Sequence, residues 1–178
     1  AYAKAQGMWN DGASRVYSEV LELNLSEVEC SLAGPSRPHD RFARNDARSR
    51  FNAICADRKL DMDKRVAVNF MGTEYELTHG AIAIAAVTSC TTATDPAMML
   101  ACGLVAKHAR ERGLLAKPWV KRVMAPGSHA TQLMLERAGL AQPLAELGFA
   151  TCGFGCMSCI GNSGPVWPEM HEVAGDIE

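Results

Sequence analysis

Gly153-Phe154-Gly155-Cys156-Met157-Ser158-Cys159-Ile160-Gly161-Asn162-Ser163-Gly164-Pro165 follows the short run Phe149-Ala150-Thr151. A strand opening into a glycine-rich, cysteine-bearing loop fits an α/β sheet, whose sites lie beyond the carboxyl ends of the strands. Gly153, Gly155, Gly161 and Gly164 let backbone N–H groups come close to a bound object. Cys156 and Cys159 have Cys-x-x-Cys spacing, which suits a metal centre gripped by both sulfurs or a redox disulfide. The pair alone does not choose between these. The choice depends on a third thiol, and Cys90 is the candidate.

Working back from that loop, Ala81 to Val87 is a continuous apolar run, which predicts a strand covered on both faces. It leads into Thr88-Ser89-Cys90-Thr91-Thr92. Asp95-Pro96 then opens a helix expected from Pro96 to Arg112 and stopped by Gly113, with Asp as N-cap and Pro at the first helical position. Trp119 to Met124 predicts a second strand. Ser128 caps a helix running to Ala138, and a shorter helix near Leu144 ends at Gly148. Strand, helix, strand, helix, strand is α/β architecture with a mainly parallel sheet. Cys90 and Cys156 each follow a strand in the same sense, so both are expected at one edge of the sheet. A helix N-terminus next to Cys90 favours its thiolate. Three thiolates suit an iron–sulfur cluster that keeps one iron free of protein ligands, open to substrate oxygens. Zinc or redox chemistry stays open for the Cys-x-x-Cys pair, and Cys90 by itself reads more often as a small core residue. Cys152, Cys156 and Cys159 also form Cys-x-x-x-Cys-x-x-Cys, the spacing of radical-SAM enzymes. Cys152 sits at a strand end and reads more simply as a buried thiol.

The first half is less rhythmic. Ala1 to Asn10 predicts a helix ended by Asp11-Gly12, and Val16 to Leu25 alternates as a strand with Leu21, Leu23 and Leu25 on one face. Cys30 to Arg41, with two prolines and a glycine, reads as a loop. Asn45 to Leu60 predicts a helix with Phe51, Ile54 and Cys55 inward, and Val66–Phe70 with Glu74–Leu77 a hairpin around Gly72. With 178 residues and 48% apolar content, the chain can bury one substantial core. A net charge of −2 makes no general case for nucleic acid or an anionic membrane. No apolar run approaches the ~20 residues of a membrane span, and the start lacks the layout of a signal peptide. Seven cysteines are an odd number and too sparse for a secreted disulfide scaffold, so a reducing, cytoplasmic setting is expected. The chain reads as a piece of a longer protein. It has no initiating Met, and Glu169 to Glu178 supplies no closing element.

His79-Gly80-Ala81-Ile82-Ala83-Ile84-Ala85-Ala86-Val87-Thr88-Ser89-Cys90-Thr91 resembles the aconitase superfamily. So do Lys117-Pro118-Trp119-Val120-Lys121, Ala125-Pro126-Gly127-Ser128 and, most closely, Gly155 to Pro165. Leu32-Ala33-Gly34-Pro35 and Arg37-Pro38 fit the branch of bacterial aconitase A and the cytosolic iron-regulatory proteins. The resemblance covers nearly the whole chain. It implies an aconitase-type α/β/α domain over 17–178, incomplete at its C-terminal end, with 1–16 finishing the preceding domain. It implies Cys90, Cys156 and Cys159 as ligands of a [4Fe-4S] cluster, with Asn162 and Ser163 supporting the cluster rather than catalysing. The family's acid–base residues and substrate-binding arginines fall outside the chain. The implied activity is dehydration and rehydration of a hydroxy-tricarboxylate such as citrate or isocitrate. A 2-methylcitrate/2-methylisocitrate dehydratase or a specialised isomerase is the near alternative, and an iron-responsive RNA-binding regulator the alternative of another class. The implied partners are a small tricarboxylate and the remaining domains of the same protein, monomeric as a whole. Thr92 and Asp95 replace the usual Asn residues, Cys30 replaces a Pro, and Arg122-Val123-Met124 with His129 replaces Thr-Ser-Leu and Lys. A polar change two residues from a ligand alters the surroundings that tune the iron. His79 reads as a hydrogen-bonded strand-end histidine, and His39, His108, His129 and His171 as surface residues. Lys107, Arg110, Arg112, Lys117, Lys121 and Arg122 read as solvated helix and loop, with the holding of an anionic substrate as the alternative.

Overall fold

The computed structural model describes residues 1–10 and 16–177, and contacts divide the chain into Ala1–Arg58 and Lys59–Glu178. The first unit carries helix α1 (Tyr2–Ala5), strands β1 (Ser31–Ala33) and β2 (Arg41–Ala43), and helix α2 (Ala47–Asp57). The helix predicted over 1–10 is reduced to α1, and its expected stop at Asp11-Gly12 lies outside the described residues. The strand predicted over 16–25 does not form, and Leu21 and Leu23 stay exposed. Alternation specifies a strand only where a sheet buries one face, and this stretch pairs with no strand among the described residues. The predicted loop over 30–41 is instead a hairpin turn with a short ladder. β1 runs antiparallel to β2, Ser31 facing Ala43, around a cis Gly34-Pro35 bond. Proline and glycine mark such a turn, but three-residue strands leave no period to read. α2 lies where expected, with Cys55 buried and Phe51 and Ile54 half-buried beside it.

The second unit opens with the hairpin β3 (Val66–Phe70) and β4 (Thr73–Leu77). Met71 (φ 50°) and Gly72 (φ 81°) form its two-residue turn, the left-handed pair that matches strand twist. The Asn69 side chain accepts from the Gly72 N–H at 3.1 Å. There follow β5 (Ile84–Thr88), α3 (Pro96–Glu111), β6 (Lys121–Ala125), α4 (His129–Arg137), α5 (Ala141–Glu146) and α6 (Pro168–Ile177). β5 pairs parallel with β6, from Ile84 opposite Lys121 to Thr88 opposite Ala125. The third strand is a single parallel bridge between Met124 and Thr151. It is held by Met124 N–H to the Ala150 carbonyl (3.3 Å) and Cys152 N–H to the Met124 carbonyl (3.0 Å). This is the α/β order read from the sequence, built on a parallel strand pair with helices between the strands.

Two details differ from expectation. β5 is not covered on both faces: Ile84 and Ala86 are exposed, because only one of its faces packs among the described residues. β6 is the buried strand, with Val123, Met124 and Ala125 all sequestered. Asp95 caps α3 as predicted, its carboxylate accepting from the Ala97 N–H at 2.9 Å. Ser128 stands at the start of α4 without a side-chain cap; its backbone carbonyl receives the Thr131 and Gln132 N–H groups instead.

One core joins Val68, Phe70 and Leu77 to Trp119, Val120 and Met170, and a second joins Met99, Ala106, Met124, Leu135, Leu140 and Leu144. A Cβ on Gly103 would lie 2.7 Å from the Leu140 Cβ, so α3 approaches the α4–α5 connection more closely than alanine allows. The C-terminal stretch, read as lacking a closing element, forms α6 and seats Met170 on the first core. Pro168 at its start, with Met170 and Val173 three apart, was the signal. No described helix is long and apolar enough to cross a membrane.

Candidate functional site

The loops that follow β5, β6 and the Thr151 bridge all leave from the carboxyl ends of parallel strands, and there the chain gathers its cysteines. Ser89 N–H bonds the Ala125 carbonyl at 3.2 Å, continuing the ladder one step beyond β5. Cys90 then turns outward. Its carbonyl accepts from the Thr94 hydroxyl at 2.7 Å and from the Ala93 N–H at 3.3 Å, and Ser89 Oγ donates to Thr94 Oγ1 at 3.0 Å. The Thr91 hydroxyl reaches across to the Gly127 carbonyl at 2.5 Å. The turn carrying Cys90 is therefore tied to the end of β6 by polar bonds as well as by strand pairing.

Gly127 is required by this contact. A Cβ there would fall 2.0 Å from Thr94 Oγ1 and 2.7 Å from the Cys90 carbonyl oxygen. Gly155, at φ 80°, donates its N–H to the Pro126 carbonyl (2.8 Å) and accepts from the Thr88 hydroxyl (3.3 Å), which brings the cysteine loop onto both strand ends. A short 3-10 turn, Ser158–Ile160, carries Cys159 and ends at Gly161, φ 76°. Asn162 N–H closes the turn on the Met157 carbonyl at 2.7 Å.

Cys90 Sγ and Cys156 Sγ lie 3.2 Å apart across 66 residues of sequence. That is well outside the ~2.05 Å of a disulfide; these are two free thiols in hydrogen-bond contact, either of which can donate. The Cys156 thiol is raised above its ordinary value, first by the hydrogen bond with Cys90, then by the Cys90 charge, by burial, and by the Cys159 charge. All three thiols are exposed. Among the described residues no group of three His, Cys, Asp or Glu side chains converges as for a single metal ion. A cubane cluster makes no such demand, because each thiolate binds a different iron. The donors suit it: three soft sulfurs on a glycine-rich loop and an adjoining turn, plus the Ser158 hydroxyl, buried without a hydrogen-bond partner between Cys156 and Cys159.

Other residues stand apart from the reading by sequence. Cys152, expected buried, is exposed, with Sγ 3.4 Å from the Met124 carbonyl. A one-residue bridge leaves the following side chain uncovered. Asn162 is exposed and Ser163 half-buried. Lys121, grouped with the solvated bases, is half-buried. Its ammonium donates to the Ser163 carbonyl and, at 2.7 Å, to the Pro165 carbonyl. Arg122 is half-buried too, and Arg110 pairs with Glu146. Nothing local in the sequence signals this role, because both accepting carbonyls lie more than forty residues further along the chain. His129 is exposed as expected and stacks edge-on against Phe154 of the cysteine loop, centroids 5.9 Å apart. His39, His108 and His171 are on the surface.

The model of the aconitase family (aconitate hydratase) matches residues 1–175. The chain belongs to the aconitase family. It is similar to aconitate hydratase A of Rickettsia conorii, 48% identical over 176 residues, covering 97% of this chain and 20% of the relative. Aconitate hydratase A of Salmonella typhimurium is 47% identical over 178 residues and that of Escherichia coli K12 45% over 180, each again across 97% of this chain and 20% of the relative. The chain thus spans about a fifth of the length of the curated relatives it matches. The Cys90 turn, the Gly127 connection and the Cys156–Cys159 loop all lie inside the matched stretch.

Proposed function

We propose that this chain is the cluster-holding part of an aconitate hydratase-type hydro-lyase, with Cys90, Cys156 and Cys159 as the ligands of a [4Fe-4S] cluster. The observation that carries the proposal is the approach of the Cys90 and Cys156 thiols to 3.2 Å from two separate strand-end loops. Thr88, Thr91, Thr94 and the Gly127 approach bring two exposed thiols to one place from distant parts of the sequence, where they can part to take separate irons of one cluster. When bound, such a cluster supplies an iron free of protein thiolate, a Lewis acid toward the hydroxyl of a hydroxy-tricarboxylate.

The chain's own contribution is to hold three sulfurs at the open edge of the sheet. The Cys90 turn is fixed by Thr94 and Thr91, and the Cys156 loop by its bonds to Pro126 and Thr88. Asn162 and Ser163 support the far side of the loop. The reaction is dehydration and rehydration of a substrate such as citrate or isocitrate, with 2-methylcitrate as the near alternative. The groups that move its protons come from other parts of the protein, and the setting is the cytoplasm, where free thiols persist. Residues 17–178 make up the cluster domain and 1–16 the end of its predecessor. The test is anaerobic reconstitution with iron and sulfide. A brown protein that bleaches in oxygen supports the reading, and stoichiometric zinc without iron uptake overturns it.

A further inference from the structure

We propose that Lys121 is the positioning residue for the second half of the cysteine loop, its ammonium fastening the backbone of Ser163 and Pro165 and so fixing the arc from Cys159 through Asn162. The inference rests on the reading of Cys90, Cys156 and Cys159 as cluster ligands.

The two halves of the loop are held differently. The first half is tied to the sheet by Gly155 N–H on the Pro126 carbonyl and by the Thr88 hydroxyl on the Gly155 carbonyl. Among the described residues the turn after it bonds only to itself, Gly161 N–H to the Ser158 carbonyl and Asn162 N–H to the Met157 carbonyl. Among the described residues, the hydrogen bonds that return 159–165 to the sheet both come from Lys121. Its backbone is rooted at the first residue of β6, where its N–H bonds the Ala83 carbonyl at 2.9 Å. A half-buried stem carries the charge from there to the loop.

Two features mark this as a built clamp. No carboxylate pairs with Lys121 among the described residues, so the ammonium is directed at carbonyls alone. Charge-assisted bonds of this kind are about twice as strong as neutral ones. Between the two accepting carbonyls stands Gly164 at φ 81°, and a Cβ there would lie 3.3 Å from the Lys121 nitrogen. The left-handed residue between them lets Ser163 and Pro165 present both carbonyls to one nitrogen, and the missing side chain lets that nitrogen in. Methionine in place of Lys121 keeps the stem and loses every donor. Arginine keeps the charge and can serve both carbonyls.

The experiment uses the intact protein that carries this chain, as wild type, Lys121→Met and Lys121→Arg. Amide hydrogen exchange is read over 159–164 and over 122–125 in the cluster-free protein. The rate of cluster loss to a chelator is read after anaerobic reconstitution. Lys121→Met is expected to speed exchange over 159–164 at least about tenfold, as for the loss of one charge-assisted bond. Exchange over 122–125 stays unchanged, the cluster is lost about tenfold faster, and Lys121→Arg restores both. Should Lys121→Met fail to fold, Lys121→Gln, which keeps one donor head, is expected to give an intermediate rise. Unchanged exchange and cluster lifetime in Lys121→Met overturn the clamp, as does a rise spread equally over 122–125. A wild type that takes up no iron and sulfide overturns the ligand reading beneath it, a result separable from the failure of the clamp alone.

Discussion

Gly127→Ala should loosen the turn that carries Cys90 while leaving every thiol in place. The added methyl lands 2.0 Å from Thr94 Oγ1 and 2.7 Å from the Cys90 carbonyl oxygen, both far inside van der Waals contact. Thr94 can rotate away, but it then gives up its bonds to the Cys90 carbonyl and Ser89 Oγ, about 1 kcal/mol each. The carbonyl is backbone and cannot rotate away, so the β5 and β6 ends must separate, an overpacking cost of about 1–3 kcal/mol. The sum is about 3–5 kcal/mol. With a urea m value of about 2 kcal/mol/M, the unfolding midpoint falls by about 1.5–2.5 M. The double variant Thr94→Ala/Gly127→Ala removes the hydroxyl clash and keeps the carbonyl clash, so it should remain destabilised against Thr94→Ala alone. Equilibrium urea unfolding, followed by circular dichroism, measures all three. A midpoint for Gly127→Ala within 0.3 M of wild type (roughly 0.5 kcal/mol by the same slope) would refute the claim that the two strand-end loops are locked at this glycine.

Other outcomes follow from the same structure. Gly161→Ala meets no atom within 4 Å but forces a methyl into φ 76°, so it should cost only about 1–2 kcal/mol by urea midpoint, less than Gly127→Ala. Leu135→Ala empties a nearly inaccessible site in the second core and should cost about 3 kcal/mol by the same measurement, with little effect on the free thiols. The 178 residues by themselves should show no turnover of citrate, isocitrate or methylcitrate in a coupled assay. Positioning and proton transfer each supply large rate factors, and the chain spans about a fifth of its relatives. Robust activity from this stretch alone would show that its catalytic groups have been missed.

What was legible in the sequence divides along physical lines. Local chemistry read well. Asp95-Pro96 announces α3 because a cap and a fixed φ act within one turn, and Gly72 announces the hairpin because only a few residues adopt its conformation. The convergence of Cys90 and Cys156 was readable from strand order, since parallel strands deliver their ends to the same edge. Non-local partnership read poorly. The alternation over 16–25 has the period of a strand but gains no partner, and the short ladder of β1 and β2 has partners but no period. Lys121 looks like any surface base in sequence. Only the fold reveals that its neighbours are the carbonyls of a loop about forty residues away. Cys152 looked buried because its strand was expected to run further than a single bridge.

The central claim is that Cys90, and not Cys152, completes the set with Cys156 and Cys159. The most direct measurement is iron and sulfide content after anaerobic reconstitution of the intact protein, as wild type, Cys90→Ser and Cys152→Ser. About four irons and four sulfides per chain are expected for wild type and Cys152→Ser. Collapse to near zero is expected for Cys90→Ser, since a cubane left with two thiolates is poorly held. A cluster that survives Cys90→Ser and is lost with Cys152→Ser would contradict the account and transfer the site to the local Cys152-Cys156-Cys159 triplet.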